Sequence, residues 1–78
     1  MINDENLYVT SDLYLSAYLL VKGHEFVFEK RGKKTFFKFT KTQDVDANVN
    51  EYFVGKGQCD PLAFANSIKN LKNLLFNS

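Results

Sequence analysis

The chain has 78 residues, of which 45% are hydrophobic, 15% aromatic and 24% charged. This length predicts one domain spanning residues 1–78, with the polar residues 1–6 frayed, and the apolar content excludes a disordered chain. Ten lysines and arginines against nine aspartates and glutamates leave a net charge of +1. That balance is far from the strongly basic charge of a dedicated nucleic-acid-binding protein.

Cys59 is the only cysteine of the chain, which excludes an internal disulfide framework and argues against a cysteine-based metal site. A single free thiol is typical of a reducing compartment. The acidic N-terminus lacks the apolar segment of a signal peptide, and the apolar run from Leu13 to Val21 is too short to cross a bilayer. We therefore predict a cytoplasmic protein that uses no cofactor, membrane or small-molecule substrate.

The first predicted elements are a strand and a helix. Residues 7–10, with the sequence LYVT, are β-prone and predict a short edge strand, but the pattern leaves open whether it joins a sheet. Thr10 or Ser11 is the expected N-cap of a helix over residues 12–22, and Asp12 suits the positive end of its dipole. This helix is apolar nearly all round, which is typical of a helix covered on more than one side.

A β-hairpin is predicted next, and its turn decides its register. With Arg31-Gly32 as a two-residue turn, Glu29 faces Lys34 and a second glutamate–lysine pair forms further from the turn, so ion pairs would favour this register. Moving the turn to Gly32-Lys33 places Glu29 opposite Phe36 instead. We expect the first register because it is more self-consistent.

Strand alternation gives this hairpin two different faces. The first is aromatic and is expected to pack against helices; it carries His24, Phe26, Phe28, Thr35, Phe37 and Phe39. The second is mixed; it carries Glu25, Val27, Glu29, Lys34, Phe36 and Lys38. One buried and one mixed face is typical of a sheet with helices on one side.

Two helices are predicted to complete the chain. Apolar residues at helical spacing from Val45 to Phe53 predict a short amphipathic helix, capped by Thr42 or Asp44. Asp60 followed by Pro61 is a strong start signal for the last helix. The order is then a short N-terminal strand, a helix, a β-hairpin and two C-terminal helices, which predicts a small two-layer α+β domain.

Four segments carry a family resemblance: VTSDLYLSAYLLVKGH at residues 9–24, FFKF at 36–39, EYFVGK at 51–56 and DPLAFANSIKNLKNLL at 60–75. They resemble a family known only as domain-of-unknown-function family 5659, carried by bacteria and their phages. The resemblance covers nearly the whole chain, and its motifs are mostly caps, glycines and core apolar residues. It implies a shared core and brings no activity, cofactor or catalytic residue.

Catalytic interpretations are weak. Cys59 and His24 could serve as nucleophile and base, but no third group is evident to orient them. Asp44 and Asp46 form a carboxylate pair, yet acids at a helix N-terminus need no further reason. The GKG sequence from residue 55 to 57 lacks the spacing of a phosphate-binding Walker loop. We expect no catalytic residue and no enzymatic activity.

The basic hairpin over residues 30–41 is one candidate binding site. Its cations could contact phosphates while Phe36 offers a stacking face, so a nucleic-acid-binding accessory protein is the alternative function. Lysines on edge strands also prevent aggregation between sheets, and a solvated hairpin is the preferred interpretation. The candidate nucleic-acid contacts are Lys30, Arg31, Lys33, Lys34, Lys38 and Lys41.

An apolar pair on the mixed hairpin face is the other candidate. Val27 and Phe36 lie there, and Tyr8, Tyr14 and Tyr18 could extend the patch, because tyrosine suits interfaces that are partly wet. We therefore predict a non-enzymatic binding module acting through a protein–protein interface. It would self-associate or bind a partner such as a host protein, as phage or mobile-element accessory and inhibitor proteins do.

Overall fold

The computed structural model of the protein describes residues 6–77, apart from the side chain of Asn77. Its elements are β1 (Leu7–Thr10), α1 (Leu13–Val21), β2 (Phe26–Arg31), β3 (Lys34–Thr40), α2 (Gln43–Phe53) and α3 (Pro61–Asn77). This order confirms the predicted α+β class. The fraying predicted for residues 1–6 lies outside the described residues except at Asn6, whose carbonyl accepts a hydrogen bond from the Lys41 amide at 2.8 Å.

The three strands form one antiparallel sheet in the order β1-β3-β2. Residues 7–10 do join it, since Leu7 pairs with Thr40 and Thr10 pairs with Phe37. Both β1 and β2 are antiparallel to β3, so they run parallel to each other on its two sides. Helix α1 connects them across the sheet, which makes a split β-α-β unit.

The predicted hairpin register is wrong. In the structure Glu29 pairs with Phe36 and Arg31 pairs with Lys34, so the turn residues are Gly32 and Lys33. Gly32 has φ +60°, and among the described residues only glycines have positive φ. A type II′ turn requires positive φ at its first central residue, where an Arg31-Gly32 turn would place arginine. Turn geometry therefore outweighs two exposed ion pairs.

The two hairpin faces are nevertheless as predicted. The observed register differs from the expected one by two residues, and side chains alternate with a period of two, so each residue keeps its face. Phe37 and Phe39 are 1% and 0% exposed on the aromatic face. The Phe26 ring lies 5.5 Å from the Phe37 ring and 5.9 Å from the Phe39 ring, measured between centroids.

Helix α1 lies at the centre of the fold. Five consecutive residues from Leu15 to Leu19 are buried, and the helix packs against both α2 and α3. Its N-cap is Asp12, not Thr10 or Ser11: the Asp12 Oδ1 accepts hydrogen bonds from the amides of Tyr14 and Leu15 at 3.0 and 3.1 Å. The helix begins one residue later than expected, so the cap also moves. Thr10 instead accepts a bond from the Asp12 amide at 3.1 Å.

The other two caps are as predicted. Thr42 Oγ1 accepts a hydrogen bond from the Val45 amide at 3.1 Å, at the start of α2. Asp60 Oδ2 accepts one from the Ala63 amide at 2.9 Å, at the start of α3. The core joins side chains from α1, α3 and the aromatic face of the sheet: Leu15, Ala17, Leu19, Phe37, Phe39 and Leu71. Val49 and Tyr52 of α2 also pack against this core, so the three described helices lie on that one side.

Candidate protein interface

The sheet has a face that no helix covers within residues 6–77. We define the outer face as the strand residues that alternate with those in the core: Leu7, Val9, Val27, Glu29, Arg31, Lys34, Phe36, Lys38 and Thr40. Directly paired residues of neighbouring strands project from the same side of a sheet. Lys38 pairs with Val9 on one side and with Val27 on the other, so these three side chains form a row across all three strands.

Apolar groups on the outer face are open to solvent. Val27 is 64% exposed and Val9 is 42% exposed, whereas Phe36 is half-buried. Two shallow depressions of about 230 and 160 Å³ lie on either side of the row, and Lys38 lines both. The first also contacts Val9 and Phe36, and the second contacts Val27. A side chain of a partner could occupy either depression.

One carboxylate on the outer face is shared by two cations. The Glu29 carboxylate accepts a hydrogen bond from Arg31 Nε and lies 3.5 Å from Lys38 Nζ. The hydrogen bond from Arg31, helped by its charge and by Lys38, holds the pKa of the Glu29 carboxyl below its ordinary value. The Arg31 guanidinium also lies 5.6 Å from the centroid of the Phe36 ring. Lys38 itself keeps only 18% side-chain exposure, so its stem contributes apolar surface.

The five predicted interface residues do not form one patch. Val27 and Phe36 share the outer face. Tyr18 is 3% exposed and donates a hydrogen bond to Glu51 at 3.2 Å, so it is a core residue and is not available to a partner. Tyr8 is half-buried against the core, where burial and then the Asp12 and Asp46 carboxylates raise the pKa of its phenol. Tyr14 is 49% exposed, but on a helix behind the sheet.

The six predicted nucleic-acid contacts are also dispersed. Arg31 and Lys38 are paired with Glu29 on the outer face. Lys30 projects from the opposite face and donates a hydrogen bond to the Leu75 carbonyl at 3.1 Å.

The three remaining cations lie at the two ends of the hairpin. Lys33 and Lys34 are exposed at its tip, where Lys34 pairs directly with Arg31. Lys41 follows the far end of β3, roughly 20 Å away at the usual rise per strand residue. The structure therefore does not gather the basic residues into one continuous track.

The residues considered for catalysis lie in separate surroundings. His24 Nε2 is 2.8 Å from Asn48 Oδ1, which links the loop after α1 to α2. Cys59 is a half-buried free thiol beside a cleft of about 260 Å³ that Tyr18, Tyr52 and Phe64 also line. No group of three or more potential metal ligands is found among residues 6–77. In the same part of the chain no helix has the length and apolarity needed to cross a membrane.

Sequence reasoning missed the two outer-face residues that β1 contributes. Val9 and Leu7 belong to it because β1 pairs with β3, and the alternation within LYVT was the available signal. The pairing of Glu29 with Arg31 was also missed, since both residues are on one strand at a spacing of two. Such neighbours share a face, but the expected Arg31-Gly32 turn had placed Arg31 outside the strand.

The fold and this surface define a small α+β domain with a three-stranded antiparallel sheet covered by helices on one side. The chain belongs to the family described as "Domain of unknown function (DUF5659)", whose sequence profile matches residues 5–77. A search of curated proteins found no significant match. A search of solved structures found none either.

Proposed function

We propose that the protein is a non-enzymatic cytoplasmic binding module whose outer face is a protein–protein interface. The row of Val9, Lys38 and Val27 carries this proposal, because two exposed valines flank a lysine that a glutamate already neutralises. An apolar surface whose central lysine already has an acidic partner suits burial against another protein. A phosphate backbone would instead favour cations that lack such partners.

A second copy of the chain is the occupant that we propose first. A domain of this size buries only about 60–65% of its unfolded surface, and oligomerisation is a common way to add buried area. A twofold axis would bring identical outer faces together, and each face offers both an acid and cations. Glu29 of one copy could then approach Lys38 of the other while the valines exclude water.

The molar mass of the purified protein by light scattering tests this proposal. We expect twice the monomer mass at low and at high salt, with no change when a short oligonucleotide is added. Val27→Asp should give the monomer, because burying a carboxylate in place of an apolar side chain costs its hydration even with Lys38 opposite. Leu62→Asp is the matched control: Leu62 is 69% exposed at the start of α3, away from the sheet, and this variant should keep the dimer mass.

A wild-type monomer at all concentrations would overturn self-association. A partner of another sequence, such as a host protein bound by a phage accessory or inhibitor protein, would then be the alternative occupant. A photo-crosslinking amino acid at position 27 tests for such a partner in the cell that produces the protein, with position 62 as the control. Equal crosslinking from both positions, or none from position 27, would contradict the interface.

The nucleic-acid alternative receives less support from the geometry. Arg31 and Lys38 already have an acidic partner, and Lys30 binds a helix carbonyl. The same light-scattering experiment distinguishes the two functions. A monomer whose mass rises with oligonucleotide only at low salt would favour the nucleic-acid function, because released counterions make such binding strongly salt-dependent.

A further inference from the structure

A groove of about 550 Å³ lies between the hairpin tip and the C-terminal end of α3. Its floor is apolar and comes from three elements: Leu13 of α1, Phe37 of β3 and Leu75 of α3. Its rim carries Lys33 and Lys34 on the hairpin side and Phe76 on the helix side. We call this site the tip groove. It lies mainly on the helix side of the sheet, and Lys34, which pairs with Arg31 of the outer face, borders it at the hairpin tip.

The charge of the tip groove has one sign. Three lysines line it, and none of the described lining residues is an acid. Lys30 reaches across to the Leu75 carbonyl at 3.1 Å, which joins the hairpin to the last turns of α3 beside the groove. Lys33 and Lys34 are exposed, and neither forms an ion pair with another residue of the described chain.

Apolar surface continues from the floor to the rim. Phe76 is 85% exposed although it is a large aromatic residue, and it borders the groove directly. An aromatic side chain next to two cations favours a ligand with both apolar and anionic groups. A bare phosphate would use only the lysines, and a neutral ligand would use only the floor.

We propose that the tip groove binds an acidic peptide segment of a partner protein. An aliphatic or aromatic side chain of the segment would lie on the apolar floor, and flanking carboxylates would contact Lys33 and Lys34. The groove is open to solvent along its length, which suits an extended peptide better than a fatty-acid tail that needs enclosure. The proposed peptide contacts do not include the row of Val9, Lys38 and Val27, so a failure at either site leaves the other to be decided by its own experiment.

Fluorescence polarisation with a defined probe tests the proposal. The probe is a short fluorescein-labelled peptide with a central phenylalanine and glutamates on both sides. We expect saturable binding that weakens about tenfold when glutamine replaces the glutamates, and about as much when serine replaces the phenylalanine. The two losses together would show that both the charge and the apolar anchor are recognised.

Two pairs of variants locate the binding site. Lys33→Glu combined with Lys34→Glu should abolish binding, whereas Lys69→Glu with Lys72→Glu makes the same charge change on the exposed side of α3 and should preserve it. Phe76→Ser should weaken binding, whereas Leu62→Ser at the other end of α3 should not. All of these positions are exposed, and circular dichroism checks that each variant is folded.

Several outcomes would overturn the proposal. Equal weakening by the Lys69 and Lys72 changes would mean attraction to net charge alone. Equally tight binding of an all-glutamate peptide or an oligonucleotide would mean that the apolar floor is unused. If dodecanoate displaces the probe at a lower concentration than unlabelled peptide does, the groove is a fatty-acid site. If the probe does not bind at all, acidic peptides are excluded as ligands of the groove.

Discussion

A β-carbon on Gly57 would lie 2.7 Å from the hydroxyl oxygen of Tyr18. The ring cannot easily withdraw, because Tyr18 is 3% exposed and its hydroxyl donates to Glu51 at 3.2 Å. The Lys22 ammonium also lies 5.4 Å from the ring centroid. We expect Gly57→Ala to lower the free energy of unfolding by about 1–3 kcal/mol, the usual cost of overpacking. Urea denaturation measures this change.

The neighbouring exposed residue provides the control for this glycine. Gln58→Ala should change the free energy of unfolding by less than about 0.5 kcal/mol. Tyr18→Phe removes the atom nearest to the new β-carbon, so its effect and that of Gly57→Ala should be non-additive when combined. Strictly additive effects would contradict a direct clash between the two positions.

Capping of α3 by Asp60 gives a second prediction. Its Oδ2 accepts the Ala63 amide at 2.9 Å, so Asp60→Ala should destabilise the domain by about 0.5–2 kcal/mol. Asp60→Asn keeps a side-chain acceptor and should retain most of the stability. Thermal unfolding followed by circular dichroism compares the three proteins, and equal loss in both variants would argue against the cap.

A third prediction compares two leucines of α3 that differ in burial. Leu71 is 2% exposed in the core, whereas Leu62 is 69% exposed. Leu71→Ala should cost about 2–5 kcal/mol through lost burial and a cavity. Leu62→Ala should stay within about 0.5 kcal/mol of the wild type, since alanine also has high helix propensity. Similar denaturant midpoints for the two variants would contradict the observed orientation of the helix.

The Glu29 carboxyl supplies a fourth prediction, which concerns pH. The Arg31 hydrogen bond lowers its folded-state pKa below the ordinary value of 4.5. Its stabilising effect is therefore fully present above that value and is lost as the pH falls through the lower folded pKa. Glu29→Gln should remove this part of the acid dependence, measured by urea unfolding at neutral and acidic pH.

Two single variants separate the causes at Glu29. Arg31→Gln should raise the carboxyl pKa, as followed by NMR titration, more than Lys38→Gln does, because the Arg31 hydrogen bond is the largest contribution. The reverse order would mean that the Lys38 contact, at 3.5 Å, is the stronger interaction in solution.

Local signals predicted most of the elements. Asp60 and Pro61 marked the start of α3, and Thr42 marked the start of α2, because caps act within a few residues of chain. Alternation in the hairpin assigned Phe37 and Phe39 to the core, because alternation also depends only on neighbouring residues. The N-cap of α1 was misplaced by one or two residues, since Thr10, Ser11 and Asp12 are all good caps and only the observed helix boundary selects among them.

The hairpin register was mispredicted because the ion pairs were given more weight than the geometry of the turn. Ion pairs suggested that Glu29 faces Lys34, yet the backbone requirement for positive φ at Gly32 places Glu29 opposite Phe36. A left-handed arginine costs roughly 1–2 kcal/mol. The observed register avoids this cost, and Glu29 still has Arg31 and Lys38 as partners, so little ion pairing is lost.

The sequence by itself determined the order of strands and helices, the two faces of the hairpin and the helix starts at Thr42 and Asp60. These features depend on residues that are neighbours in the chain. Only the tertiary structure decided that β1 pairs with β3, that Tyr18 is buried while Val27 is open, and that Lys30 meets the end of α3. Those outcomes depend on contacts between residues far apart in sequence. Both proposed binding surfaces are of this second kind.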